Sequence, residues 1–209
     1  WGLNTKFSSS EEHPMKMYYG DLDKNGATET IVSTFKDGKD YPVDGLKELS
    51  SQLVSLRKKF NSYSSFAGKS MEDILGENML PNAEILEVHT LNSGFLKNEN
   101  GKFTFVPFSY KLQLAPIMSF LEFDFNGDNK TEVLAAGNYF GVKPYHGRFD
   151  SFPGALISNN NNITLANKIG LDLTGKSIRN MNIIKFNNNN YILLTFNDEA
   201  AEVYQILKP

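Results

Sequence analysis

Asp124, Asn126, Asp128 and Glu132 stand at positions 1, 3, 5 and 9 of the stretch Phe123-Asp-Phe-Asn-Gly-Asp-Asn-Lys-Thr-Glu-Val133. Alternate residues of a turning backbone point to one side, so the first three oxygens can converge on one hard cation, with the Lys130 carbonyl as a further ligand at position 7. Gly127 permits the sharp bend. The same spacing recurs at Asp21, Asp23, Asn25 and Glu29, with the Ala27 carbonyl at position 7. Each loop holds three carboxylates, which would repel one another in so small a turn without a cation. Oxygen donors in this number favour calcium over magnesium, and the lack of His or Cys disfavours zinc. An EF-hand needs a bidentate Glu at position 12. Val32 and Ala135 occupy that position here, and strand-like residues flank both loops. Two calcium ions are therefore expected, in a structural role.

Other chemistry lacks a constellation. His13, His89 and His146 are scattered, with no pair at metal-ligand spacing. No nucleophile elbow, phosphate loop or dinucleotide fingerprint is present, and a non-enzymatic protein is expected. Cysteine is absent, which excludes disulfides, thiolate zinc and cysteine nucleophiles. The aromatic stretch Tyr139, Phe140, Tyr145, His146, Arg148 and Phe149 has two readings. Tyr139, Tyr145, His146, Arg148 and Phe149 could stack on a sugar or anchor a protein, or the aromatics could belong to the core. The sequons Asn129-Lys-Thr131 and Asn162-Ile-Thr164 matter only in a eukaryotic secretory route.

The chain that must position these groups has 209 residues, with 40% hydrophobic and 22% charged. That is enough for a sizeable core in one domain or two small ones. A net charge of −3 gives no reason to expect nucleic acid as a partner. No apolar run reaches the length of a membrane span.

Alternating residues at Trp1–Phe7 predict a half-buried strand, and Met15–Tyr19 predicts another. Thr30–Phe35 leaves the first Asp-rich loop, and Asp37-Gly38 suits a tight hairpin. Leu46, Leu49, Leu53, Leu56 and Phe60 recur at helical spacing, with Asp44 as the expected N-cap. Ser70–Leu75 predicts a shorter helix capped by Ser70 and ended by Gly76. Residues 43–80 thus form a helical insertion in a β chain. Strands follow at 83–91, 93–97, 102–106, 112–123, 133–136, 154–158, 163–166, 180–186, 191–196 and 202–207. The Asn159–Asn162 and Asn187–Asn190 blocks are read as polar turns.

Short strands with turn signals at this spacing indicate an all-β fold, and repetition points to a propeller. The expected division has a blade end at 1–7 and a blade at 14–110 that carries the insertion. A compact blade at 115–172 and a degenerate last blade at 177–209 complete it. In the last, Asn187–Asn190 stands in place of the acidic loop, so no metal is expected there.

Asp21–Glu29 and Asp124–Glu132, each ahead of an apolar strand, resemble the calcium loops of FG-GAP/VCBS repeats, known from integrin α-subunit propellers. Gly137-Asn-Tyr-Phe-Gly-Val-Lys-Pro144 with Gly147-Arg-Phe-Asp150 resembles the blade turns of cartilage-acidic-protein-like members found in Bacteroidetes. Asp37–Pro42 and the Leu/Lys-rich helix after it do likewise. The resemblance covers essentially the whole chain. It implies a secreted or lipid-anchored protein of the cell surface or outer membrane, and no known catalytic activity; recognition of a protein or a glycan is the expected role. A polysaccharide-processing enzyme or accessory subunit on the same scaffold is the alternative. A closed propeller typically needs about 4–8 blades, and only about three are read here. The chain, which starts at Trp1, is therefore expected to be the C-terminal piece of a larger protein. Upstream residues or a partner subunit would complete the ring.

Overall fold

The computed structural model describes residues 1–158 and 162–207. The fold is mostly β with a small helical part, and its four sheets among the described residues are antiparallel. The chain divides into two compact units, Lys6–Leu91 and Asn92–Pro209, the latter including Trp1–Thr5. Among the described residues no helix is long and apolar enough to cross a membrane.

In the Lys6–Leu91 unit, β1 (Met15–Gly20), β2 (Glu29–Lys36), β3 (Lys39–Pro42) and β4 (Glu84–Val88) form a sheet in the order β3-β2-β1-β4. The Asp37-Gly38 turn has φ of 49° and 83°, the left-handed pair that a two-residue hairpin requires. Tyr18 faces Ile31 on one side and Ile85 on the other. Its ring packs with Leu22 and Ile31 against Leu49, Leu53, Leu56, Phe60, Met71, Ile74 and Leu75 from the helices.

The helical insertion is built differently from its expected form. The leucine spacing runs through two helices, α1 (Leu46–Gln52) and α2 (Leu56–Lys59), separated at Leu53–Ser55. Leu49, Leu53, Leu56 and Phe60 are nevertheless all buried. The spacing encodes the buried face; helical continuity is lost where Leu53 turns to φ −105°, ψ 88°. The N-cap of α1 is Gly45, with no side-chain cap, rather than Asp44. After α3 (Tyr63–Phe66), α4 (Met71–Met79) starts as expected at Ser70. Its hydroxyl accepts from Asp73 N, and the Asp73 carboxylate accepts from Ser70 N. Gly76, at φ 61°, interrupts that helix.

In the other unit, β7 (Ile117–Phe123), β8 (Glu132–Gly137), β9 (Ala155–Ile157) and β10 (Ile163–Leu165) form an up-and-down sheet. A three-stranded sheet follows from β11 (Ile178–Phe186), β12 (Asn189–Phe196) and β13 (Glu202–Gln205). β5 (Gly94–Glu99) and β6 (Lys102–Pro107) pair as a separate hairpin. That hairpin falls within 14–110, the span read from sequence as one blade, and belongs to the Asn92–Pro209 unit. The expected turn over Asn159–Asn162 falls at 159–161 outside the described residues.

Trp1–Phe7 forms no strand. Gly2 adopts φ +78°, where a Cβ would meet Gln113 O at 2.5 Å, and Leu3 and Asn4 donate to that same carbonyl. The segment is therefore docked on a loop carbonyl instead of a strand edge.

Candidate metal centre

The two Asp-rich loops, residues 21–28 and 124–131, each join the first two strands of a sheet, β1 to β2 and β7 to β8. They share one internal hydrogen-bond scheme. The position 1 carboxylate accepts from the backbone N–H of positions 5 and 6: Asp21 from Asn25 and Gly26, Asp124 from Asp128 and Asn129. The position 5 side chain accepts from position 7, Asn25 from Ala27 and Asp128 from Lys130. The position 9 glutamate accepts from position 2: Leu22 N to Glu29 Oε2 is 2.8 Å and Phe125 N to Glu132 Oε2 is 3.0 Å.

The backbones agree as well. Positions 4 and 6 are left-handed in both loops, Lys24 (φ 60°) and Gly26 (89°) in the first, Gly127 (80°) and Asn129 (64°) in the second. Glycine and a side-chain-bearing residue have exchanged places between the copies, yet both positions stay left-handed. Gly127 supplies the bend read from the sequence. Glu29 and Glu132 are each only 2% exposed. Both therefore lie beneath their loops with a carboxylate oxygen anchored to the chain.

Position 3 differs. In the second loop Asn126 Nδ2 donates to Glu132 Oε1 at 3.0 Å, so both oxygens of that glutamate are satisfied. In the first loop the residue is Asp23, which has no N–H to offer. Asp21, Asp23 and Glu29 bring ligand oxygens within 4.8 Å of one another. Asp23 Oδ1 is buried and has no hydrogen-bond partner among the described residues. A buried acceptor left alone beside two carboxylates is unfavourable unless a cation joins it. Among the described residues, Asp124, Asp128 and Glu132 do not converge in this way. Asp21, Asp23 and Glu29 are the carboxylates whose arrangement could hold a hard cation.

Asn187–Asn190 is a tighter structure than a degraded copy of these loops. Asn187 and Asn188, at φ 47° and 63°, form a two-residue turn between β11 and β12, and Asn189 and Asn190 already belong to β12.

The aromatic stretch divides in two. Tyr139 and Phe149 exchange backbone hydrogen bonds, and Phe149 is 6% exposed in a core with Leu112, Ala135 and Phe152. Tyr145 and Arg148 lie at the surface, where the Arg148 guanidinium sits 3.8 Å from the centre of the Phe140 ring and near Asp150. Tyr145 and His146 meet edge to face. Phe149 is thus turned away from any ligand that Tyr145 and Arg148 could meet.

Sequence reasoning missed Asn138. It is fully buried, and its Nδ2 donates to the carbonyls of Phe152, Leu173 and Lys176 while its Oδ1 accepts from Phe152 N. Its one visible signal is its place after Gly137, where a φ of 75° suits asparagine. Gln113 does similar work, donating to Ser93 O and Phe108 O and accepting from Ser93 N. No family model, curated protein or solved structure matches the chain.

Proposed function

We propose that the chain is a calcium-stabilised, non-enzymatic segment of an FG-GAP/VCBS-like β-propeller, part of an extracellular or cell-surface protein that recognises a protein or glycan. The observation that carries this reading is the recurrence of one loop design, with matching hydrogen bonds and left-handed positions, at Asp21–Glu29 and Asp124–Glu132. In this reading the ion supplies positive charge to side chains that would otherwise repel. Asp21, Asp23 and Glu29 hold it in the first loop, supported by Asn25 and the Ala27 carbonyl. Asp124, Asn126, Asp128, Lys130 and Glu132 hold a second ion more weakly, because Asn126 already serves Glu132. Calcium thereby fixes the angle at which the first two strands of each sheet enter and leave the loop. The blades 14–110, 115–172 and 177–209 belong to the same proposal, as does completion of the ring by further residues or a partner subunit.

Thermal melting of protein first shown to be calcium-loaded tests the reading. Chelation with EDTA lowers the melting temperature, and so does Asp124→Ala in calcium. A melt unchanged by EDTA would sink the proposal.

A further inference from the structure

The helical insertion contains a groove of about 400 Å³, lined in part by Lys47, Arg57, Phe60, Asn61, Ser62 and Tyr63. Its size falls within the range of small-ligand sites. Among the described residues no carboxylate lines it, although the chain as a whole carries a net charge of −3. Arg57 and Lys47 are exposed and enter no ion pair among the described residues. Arg57 opens the run Arg57-Lys58-Lys59 in the last turn of α2, so the local field is positive.

The frame around these groups is fixed. Phe60, 6% exposed, packs edge-on against Phe66 with ring centres 5.5 Å apart, and it forms an apolar floor. Ser62 caps α3 by accepting from Ser65 N, and the Ser65 hydroxyl accepts from Ser62 N in return. Tyr63 is thereby set at the first helical position with its side chain largely in solvent, at 68% exposure. An aromatic side chain held in water at a groove edge presents a flat face for stacking. A guanidinium offers a planar fork that matches carboxylate or sulfate oxygens. Asn61 adds an amide with donor and acceptor for hydroxyl groups.

We propose that this groove binds an anionic saccharide, a sugar ring carrying a carboxylate or a sulfate. Arg57 grips the anionic group, Lys47 adds charge, and Tyr63 stacks on the ring. The site draws on no residue of the Asp-rich loops, so it stands or falls independently of calcium.

Calorimetric titration of the whole chain at low salt tests it with four probes: a galacturonate disaccharide, a heparin-derived sulfated disaccharide, neutral cellobiose and inorganic sulfate. At least one charged disaccharide binds and cellobiose does not, and the tighter of the two identifies the recognised group. Arg57→Gln weakens that binding about tenfold, the loss of one charge-assisted contact. Tyr63→Ala also weakens it, while Lys185→Gln, an exposed cation on β11, leaves it unchanged. All three side chains are exposed, so each variant keeps the parent melting temperature. The proposal is overturned if no probe binds at millimolar concentration, if cellobiose binds as well as the charged sugars, or if Arg57→Gln has no effect. Sulfate binding as tightly as the charged sugars would also overturn it, by reducing the groove to a simple anion site.

Discussion

Asn126 donates its side-chain amide to Glu132 Oε1 at 3.0 Å, the one contact that its counterpart Asp23 cannot make to Glu29. One loop therefore carries an internal donor where the other carries a third converging carboxylate and an unpartnered oxygen. Two loops with the same backbone should differ in how much they need a cation.

Exchanging the position 3 residues tests that difference. In EDTA, Asp23→Asn stabilises the protein by about 1–3 kcal/mol, the penalty relieved when a buried acceptor gains a partner or loses its charge. In calcium, the same variant binds the ion more weakly. Asn126→Asp does the reverse, lowering stability in EDTA and raising calcium affinity at the second loop. Paired denaturation curves with and without calcium read both effects. Identical EDTA sensitivity in parent and Asp23→Asn would contradict the assignment.

Asn138 connects segments far apart in sequence through four side-chain hydrogen bonds. Asn138→Gly keeps the left-handed backbone and removes only the side chain. It is expected to cost about 3 kcal/mol or more, because several buried groups lose partners together. Asn138→Asp should be worse, since a carboxylate would face three carbonyl oxygens. Urea denaturation measures the order parent, Gly, Asp.

The C-terminal sheet should be stable over a bounded pH window. The Glu202 carboxyl is held below its usual range by hydrogen bonds from Lys176 and then Tyr204, so its contribution is present above the unfolded value and is lost as pH falls through the folded one. Tyr204 donates to Glu202 at 2.6 Å. Its hydroxyl is pushed up from 10.0 to about 12, first by that hydrogen bond and then by burial. This contribution is present below pH 10.0 and disappears as pH rises toward about 12. Glu202→Gln removes the acidic loss and shrinks the alkaline one. Stability measured against pH for parent and variant shows both changes.

Local chemistry was the legible part of this molecule. Asp, Asn and Glu spacing revealed the loops because their defining contacts lie within nine residues. The hairpin turn at Asp37-Gly38 was readable for the same reason, and the turn read over Asn187–Asn190 was placed correctly but drawn two residues too long. The leucine spacing of 46–60 identified the buried face but hid the break at Leu53, since burial can be kept without a continuous helix. Pairing of β4 with β1 was not legible, because alternation says that a segment is extended and not which neighbour it meets. Trp1–Phe7 alternates like a strand, yet the left-handed Gly2 and the hydrogen bonds from Leu3 and Asn4 to Gln113 O direct it elsewhere. Asn138 escaped notice because its partners Phe152, Leu173 and Lys176 are distant in sequence.

Whether the two Asp-rich loops bind calcium is read by isothermal titration of the metal-free chain with the ion. The expected result is a tighter site abolished by Glu29→Gln and a weaker one abolished by Asp124→Ala. Absence of calcium binding by folded protein, or binding that survives both substitutions together, would contradict it.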